Sequence, residues 1–260
     1  MARYLRRSKQ EPSEEIYVTV EPLGSTAAAL AFLTEGEAIA CQPIGWGSNY
    51  SFAMVLRRGE EQRLAVYKPR RGEVPLWDFP DGTLYRREYA SFLVTQALGW
   101  DFVPPTVVGD GPHGVGTIQL YVDPEPNVDP ATLRQTNEGE LMRIFLFDIF
   151  ANNADRKTGH CVRDRAGKLW GIDHGLTFNV TSKLRTTIWD FCGEPIPASI
   201  LGEMTSFLAD HARTDALNAQ LRGLLDRPEI ATFHARLERL VKLGTFPDLD
   251  PYRNVPRGWW

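Results

Sequence analysis

Two aspartates carry the densest chemical signal in the chain. Asp155 lies in FDIFANNADRKTGHCV, just past a strongly apolar run, and Asp173 follows 18 residues later on the short apolar strand expected in LWGIDHGLTF. Two carboxylates joined by the turn-like Asp164–Ala166–Gly167 suit phosphoryl transfer, one orienting or deprotonating an acceptor hydroxyl and the other holding Mg²⁺. Upstream, Lys68 ends the strand-like LAVYK on the same face as Leu64 and Val66, and Glu88 interrupts an apolar helical stripe between Leu84 and Phe92. A buried carboxylate needs a cation, so each residue supplies the other's partner, and such a pair can hold the α- and β-phosphates of a nucleotide. Gly45, Gly47 and Ser48 in PIGWGSNY lie between two β segments, where backbone N–H groups can approach a polyphosphate; a plain hairpin uses the same residues.

The elements that must position these residues follow from periodicity. Residues 1–15 are polar and charged and read as a loose arm before Ile16–Val20. Ser25 suits the N-cap of a helix over Ala27–Leu33 ended by Gly36. Strands are expected around Ala40–Ile44, Tyr50–Arg57, Arg63–Lys68, Thr106–Val108 and Thr117–Val122, and a helix in LYRREYASFLVTQALG with Gly99 as its stop. VDPEPNVDP reads as the crossing into a second region dominated by helices: Glu138–Phe150, apolar nearly all round, then Ala198–His211, Asp215–Leu225 and Glu229–Leu243. The resulting outline is α+β: a β-rich N-lobe over 16–122 carrying one helix, and an α-rich C-lobe over 123–260.

Composition removes several classes. A chain of 260 residues with 43% hydrophobic and 24% charged content is an ordinary globular one, and its net charge of -4 gives no footprint for nucleic acid or a membrane surface. The longest apolar runs, such as Ala27–Leu33, fall well short of the roughly 20 residues that span a bilayer, and no apolar stretch follows the basic N-terminus; the expectation is a cytoplasmic protein without integral membrane association. Cys41, Cys161 and Cys192 are odd in number and lack a C-x-x-C pair, which argues for reduced thiols. GDGPHG at 109–114 matches G-x-G-x-x-G, but Pro112 bars a helix from starting there, so these glycines are read as a hairpin turn. No P-loop motif occurs.

FDIFANNADR, IDHGLTF, and VYKPRRGEVP followed by LYRREYASFL resemble the corresponding motifs of the phosphatidylinositol 3- and 4-kinases, nearest to the type II phosphatidylinositol 4-kinases and more distantly bacterial persistence-toxin kinases, across roughly Cys41 to Phe178. The resemblance implies a two-lobed protein-kinase-like fold using ATP with Mg²⁺ or Mn²⁺. It implies Lys68 on the phosphates with Glu88 as its partner, and Gln119–Val122, including Tyr121, as the hinge beside adenine. Asp155 becomes the catalytic carboxylate, Asp173 the metal ligand, and Asp148 a brace for the catalytic loop.

Two departures bear on function. The family pattern D-R-x-x-x-N has His160 in place of the asparagine, and imidazole is a poorer ligand than oxygen for Mg²⁺ and a better one for Mn²⁺. Three roles stay open to His160: ligand of a softer ion, phosphate contact, or mark of a weakened site. The cysteine-rich lipidated insert of the type II enzymes is absent, so the hydroxyl acceptor is not specified. The expected function is γ-phosphate transfer to that acceptor, with a nucleotide-binding regulatory pseudokinase, or nucleotidyl transfer in the same cleft, as the alternatives.

Overall fold

A computed structural model describes residues 3–5, 16–18, 24–45 and 49–256. Gly47, Ser48, Trp259 and Trp260, and most of the N-terminal arm, lie outside the described residues. Within the arm, β1 (Arg3–Leu5) pairs antiparallel with β2 (Ile16–Val18). The chain divides into two units, Met1–Tyr89 with Pro104–Asp123, and Ala90–Val103 with Pro124–Trp260.

In the first unit, α1 (Thr26–Glu35) starts where the Ser25 hydroxyl accepts the Ala28 N–H at 3.1 Å. β3 (Glu37–Ile44), β4 (Ser51–Arg58), β5 (Glu61–Pro69), β6 (Thr106–Gly111) and β7 (Gly114–Leu120) form one antiparallel sheet in the order β3-β4-β5-β7-β6. Alternation gives this sheet two different faces. Phe32 and Leu33 of α1 pack on one with Phe52, Met54, Leu56, Ala65, Tyr67 and Ile118. The other carries Val55 and Leu64 with Ile39, Ala53 and Tyr121, and its register sets Lys68 opposite Thr117. Residues 109–114 are the β6–β7 hairpin, and Gly116 beyond it is required sterically, since a Cβ there would lie 2.3 Å from the Lys68 carbonyl oxygen.

α2 (Leu84–Leu98) begins with an acid borrowed from the preceding loop: Glu73 accepts from the N–H groups of Leu84 at 3.0 Å and Tyr85 at 2.8 Å. That answers two of the orphan donors at the helix start and sets a negative charge at its positive end. Burial pushes the Glu73 carboxyl above its ordinary value, with these two bonds pulling the other way.

The second unit holds α3 (Pro130–Thr136), α4 (Glu138–Ala151), the ribbon β8 (Cys161–Arg163) and β9 (Leu169–Gly171), then α5 (Ala198–Ala209), α6 (His211–Leu221) and α7 (Arg227–Leu243). Its core is aromatic around α4: Phe150 meets Phe147 and Phe233 edge-on with centroids 5.4 and 5.7 Å apart, and Phe145 stacks on Phe246 at 5.6 Å. Residues 90–103 belong to this unit because Trp100 packs on Phe150, Phe102 packs on Phe147, and the Phe102 carbonyl accepts the Gly171 N–H at 2.8 Å.

Three local expectations are corrected. The segment read as a crossing runs directly into a helix that was not expected, α3, started by the Asp129 side chain accepting from Thr132 N–H at 2.7 Å with Pro130 in the first turn. Asp210 breaks the helix expected over Ala198–His211 and caps α6 through the Arg213 N–H. Asp173 is not on a strand: β9 ends at Gly171, and Asp173 has left-handed backbone at φ 62°.

Candidate active site

Strand β5 and helix α2 bring the first pair together within the first unit. Lys68 Nζ lies 2.9 Å from Glu88 Oε2, with the lysine side chain 24% exposed and the glutamate 1%. The carboxylate is thus the buried member of the pair, and the lysine side chain is the partly exposed one. Gln119 is turned inward instead: its amide donates to Thr106 Oγ1 at 2.9 Å, and its backbone is paired with Val66 on one side and Thr106 on the other. Tyr121 N–H donates to the Leu64 carbonyl at 3.1 Å, while the N–H and C=O of Val122 have no hydrogen-bond partner among the described residues. Gly45 ends β3, with nothing within 4 Å of the place a Cβ would occupy.

In the second unit, α4 stops at Asn152, whose left-handed conformation (φ 55°) turns the chain into Asn153–Asp155. The Asn152 amide holds the turn by donating to the carbonyls of Asn179 and Thr181. Arg156 is fully buried and binds both oxygens of the equally buried Asp148, Nε to Oδ2 at 2.8 Å and Nη2 to Oδ1 at 2.9 Å. The same guanidinium donates to the carbonyls of Ile172 at 3.0 Å and His160 at 3.3 Å, and to His174 Nε2 at 2.7 Å. Burial opposes the charge on Arg156, and Asp148 outweighs it, leaving the guanidinium above its ordinary value. One side chain therefore ties the residue after Asp155 to both neighbours of Asp173.

Asp155 is half-buried and Asp173 exposed. Burial raises the Asp155 carboxyl above its ordinary value and the negative charge of Asp173 adds to that, while Lys157, 2.9 Å away, and Arg185 pull it back. His160 Nε2 lies 3.4 Å from Asp173 Oδ2, and its Nδ1 accepts the Lys157 N–H at 3.4 Å, which leaves the ring proton on Nε2 facing Asp173. No group of three or more His, Cys, Asp or Glu side chains able to hold a metal occurs among the described residues. Mg²⁺ is ordinarily held by one or two carboxylates with substrate phosphates and waters completing the octahedron, so the exposed carboxylate of Asp173 suits it as a donor. Cys41, Cys161 and Cys192 are free thiols, and burial pushes that of Cys161 up to about 11.

Glu73 and Arg185 are residues the sequence did not single out. His174, the histidine beside Asp173 that the sequence sets aside as an iron ligand with His160, is buried against Arg156.

The fold is kinase-like, an antiparallel-sheet unit and a helical unit in an α+β chain. It matches hydra Fam20 with sugar at a TM-score of 0.53 and 14% identity, over 86% of this chain and 91% of that one. It matches the Golgi casein kinase at 0.52 and 14%, over 84% and 74%, and the same kinase with Mn/ADP bound equally well. Protein Rv2133c of Mycobacterium tuberculosis is 36% identical across 87% of this chain and 93% of its own length, and the chain belongs to the family of that protein. Phosphatidylinositol 4-kinase gamma 4 of Oryza sativa subsp. japonica is 27% identical across 64% of this chain and 33% of its length. No protein-family model matches the chain. The solved structures show the kinase-like fold, and none of these likenesses is specific to kinases acting on phosphatidylinositol.

Proposed function

We propose that this protein is a metal-dependent ATP phosphotransferase that moves the γ-phosphoryl group to a hydroxyl acceptor. The observation that carries the reading is the Lys68–Glu88 pair: a cation held by a buried carboxylate, with its own side chain partly exposed, on a kinase-like fold. Lys68 binds the α- and β-phosphates, and Glu88 fixes the ammonium so that little side-chain entropy is lost on binding. Backbone groups around Gly45, and Gly47 and Ser48 beyond it, approach the phosphates. Val122 supplies the backbone donor and acceptor for adenine, with Ile39, Ala53, Val55 and the Tyr121 ring giving an apolar surface. Gln119 supports the sheet beneath that surface.

Asp155 orients the acceptor hydroxyl and takes its proton, a role helped by a carboxyl pushed above its ordinary value. Asp173 holds the divalent ion, whose chemistry is to neutralise phosphate charge. His160, a metal ligand on the family pattern, is assigned instead as the residue that orients Asp173, because its Nδ1 is already engaged by Lys157. The Golgi casein kinase with Mn/ADP bound supports nucleotide and divalent-metal use by this fold. The reading places the reaction in the cytoplasm, where ATP is abundant and free thiols stay reduced; no helix among the described residues is long and apolar enough to cross a membrane.

Calorimetric titration of ATP with and without Mg²⁺ or Mn²⁺ tests the binding half of this reading. Metal-dependent ATP binding that Asp173→Ala abolishes is the expected result; ATP binding indifferent to metal in both proteins would refute it.

A further inference from the structure

The segment 183–188 runs extended beside the catalytic loop. Arg185 N–H donates to the Asn153 carbonyl at 2.9 Å, Arg156 N–H donates to the Arg185 carbonyl at 3.0 Å, and Thr187 N–H donates to the Arg156 carbonyl at 3.1 Å, in a parallel bridge between Arg156 and Thr186. Its burial alternates. Leu184, Thr186 and Ile188 are buried, whereas Lys183, Arg185 and Thr187 are only partly so, which places these three on one outward side. Thr187 Oγ1 meets Thr158 Oγ1 at 3.4 Å, adjoining Lys157, whose ammonium is 2.9 Å from Asp155.

Arg185 is the unusual member of this strip. Its backbone is locked on both sides into the loop that carries Asp155, while its side chain, on a partly exposed residue, makes no hydrogen bond or ion pair among the described residues. A guanidinium on a backbone fixed this way is positioned without an acceptor, and its planar fork matches two oxygens of a phosphate. The charge of Arg185 is felt at Asp155, which sets it beside the carboxylate assigned to the acceptor.

We propose that Arg185, with Lys157 and the hydroxyls of Thr158 and Thr187, forms a phosphate-binding site next to Asp155. Two sources share that chemistry: the terminal phosphate of the nucleotide, or a phosphate already borne by the hydroxyl acceptor. Assigning the bound phosphate to a transfer reaction rests on the phosphotransferase reading; the binding itself does not.

The test is titration of inorganic phosphate into the full chain, alone, saturated with ADP, and saturated with a non-hydrolysable ATP analogue. The free wild-type protein is expected to bind phosphate, Arg185→Gln to weaken it about tenfold or more, and Arg185→Lys to keep most of it. Phosphate binding that survives the ATP analogue assigns the site to the acceptor's phosphate; binding displaced by the analogue but not by ADP assigns it to the nucleotide's terminal phosphate. No phosphate binding by the wild type, or equal affinity in Arg185→Gln, overturns the proposal. The exposed Arg222→Gln is the control, and an equal loss there would also overturn it by showing general charge attraction. Thermal unfolding checks that each variant folds, and Lys157→Gln reads the same site if Arg185→Gln does not. Absence of ATP binding would sink the phosphotransferase reading while the phosphate titration of the free protein still reports on Arg185.

Discussion

The two units each contain a charge pair at the residues that carry chemistry, and the pairs are built differently. Arg156 and Asp148 are both fully buried, and the guanidinium meets two carboxylate oxygens, two backbone carbonyls and a histidine nitrogen. Lys68 and Glu88 meet at 2.9 Å, with the glutamate side chain buried and the lysine side chain 24% exposed. A buried pair repays its desolvation only when nearly every polar position is satisfied, and Arg156 meets that condition. It acts as a fixture, binding the loop of Asp155 to the backbone on both sides of Asp173. The lysine side chain, less enclosed, is suited to meet a further anion. Full burial marks the pair that holds the frame, and partial exposure marks the pair assigned to a ligand.

This contrast can be broken from either side. Arg156→Ala leaves Asp148 buried without its cation and is expected to cost about 3–5 kcal/mol, read as a lowered denaturation midpoint. If urea unfolding moved no more than for an exposed arginine such as Arg222, the fixture account would fail. Lys68→Met should do the reverse: a smaller stability loss, because it removes a partly exposed side chain rather than a fully buried, multiply bonded one, together with a fall in ATP affinity of about tenfold or more, measured by calorimetry. Equal ATP affinity in Lys68→Met and the wild type would remove the ligand role from this pair. Asp155→Asn sharpens the comparison inside the second unit, since it should leave nucleotide binding nearly intact and lower turnover by about 10²-fold or more if Asp155 is the general base.

The smallest effect concerns a pair of intermediate exposure. Glu203 accepts from Arg143 at 2.6 and 2.9 Å and from the Trp100 indole at 2.7 Å, and the Arg143 bond holds its carboxyl below the ordinary value. A carboxyl depressed in the folded state favours folding above its unfolded pKa and loses that contribution as pH falls through the folded one. Thermal unfolding followed below the ordinary glutamate range should therefore show a modest extra loss in the wild type that Glu203→Gln lacks; parallel curves would show that the contacts carry no net coupling.

Much of the outline was legible because side-chain type and period coincide. Glu88 in an apolar stripe and Lys68 on an apolar strand face each violated a local pattern, and a violation that another violation cures is informative. Ser25 and Gly36 bounded α1 as their types suggest. The start of α3 was also written in the sequence as Asp129–Pro130, but a run rich in proline and aspartate has the composition of a linker as well. Other features had no local signal. Glu73 reaches the first turn of α2 from a loop 11 and 12 residues away, so no capping box announces it. Gln119 lies where a hinge was expected, yet its pairing on both strand edges is a property of the sheet order β3-β4-β5-β7-β6, which no single segment encodes. Between His174 and Asp173, only the tertiary position of Arg156 decides which one turns inward. Arg185 looked like any arginine in a polar stretch until its backbone was seen bound to the loop of Asp155.

The central claim is γ-phosphoryl transfer, and parallel incubations of the protein and a cell extract with γ-labelled and α-labelled ATP, in Mg²⁺ and in Mn²⁺, test it most directly. The account predicts acceptor labelling from γ-labelled ATP alone, lost in Lys68→Met and Asp155→Asn. Labelling from α-labelled ATP would identify nucleotidyl transfer instead, and labelling from neither, by a protein that still binds ATP, would make it a nucleotide-binding regulatory module and contradict the account.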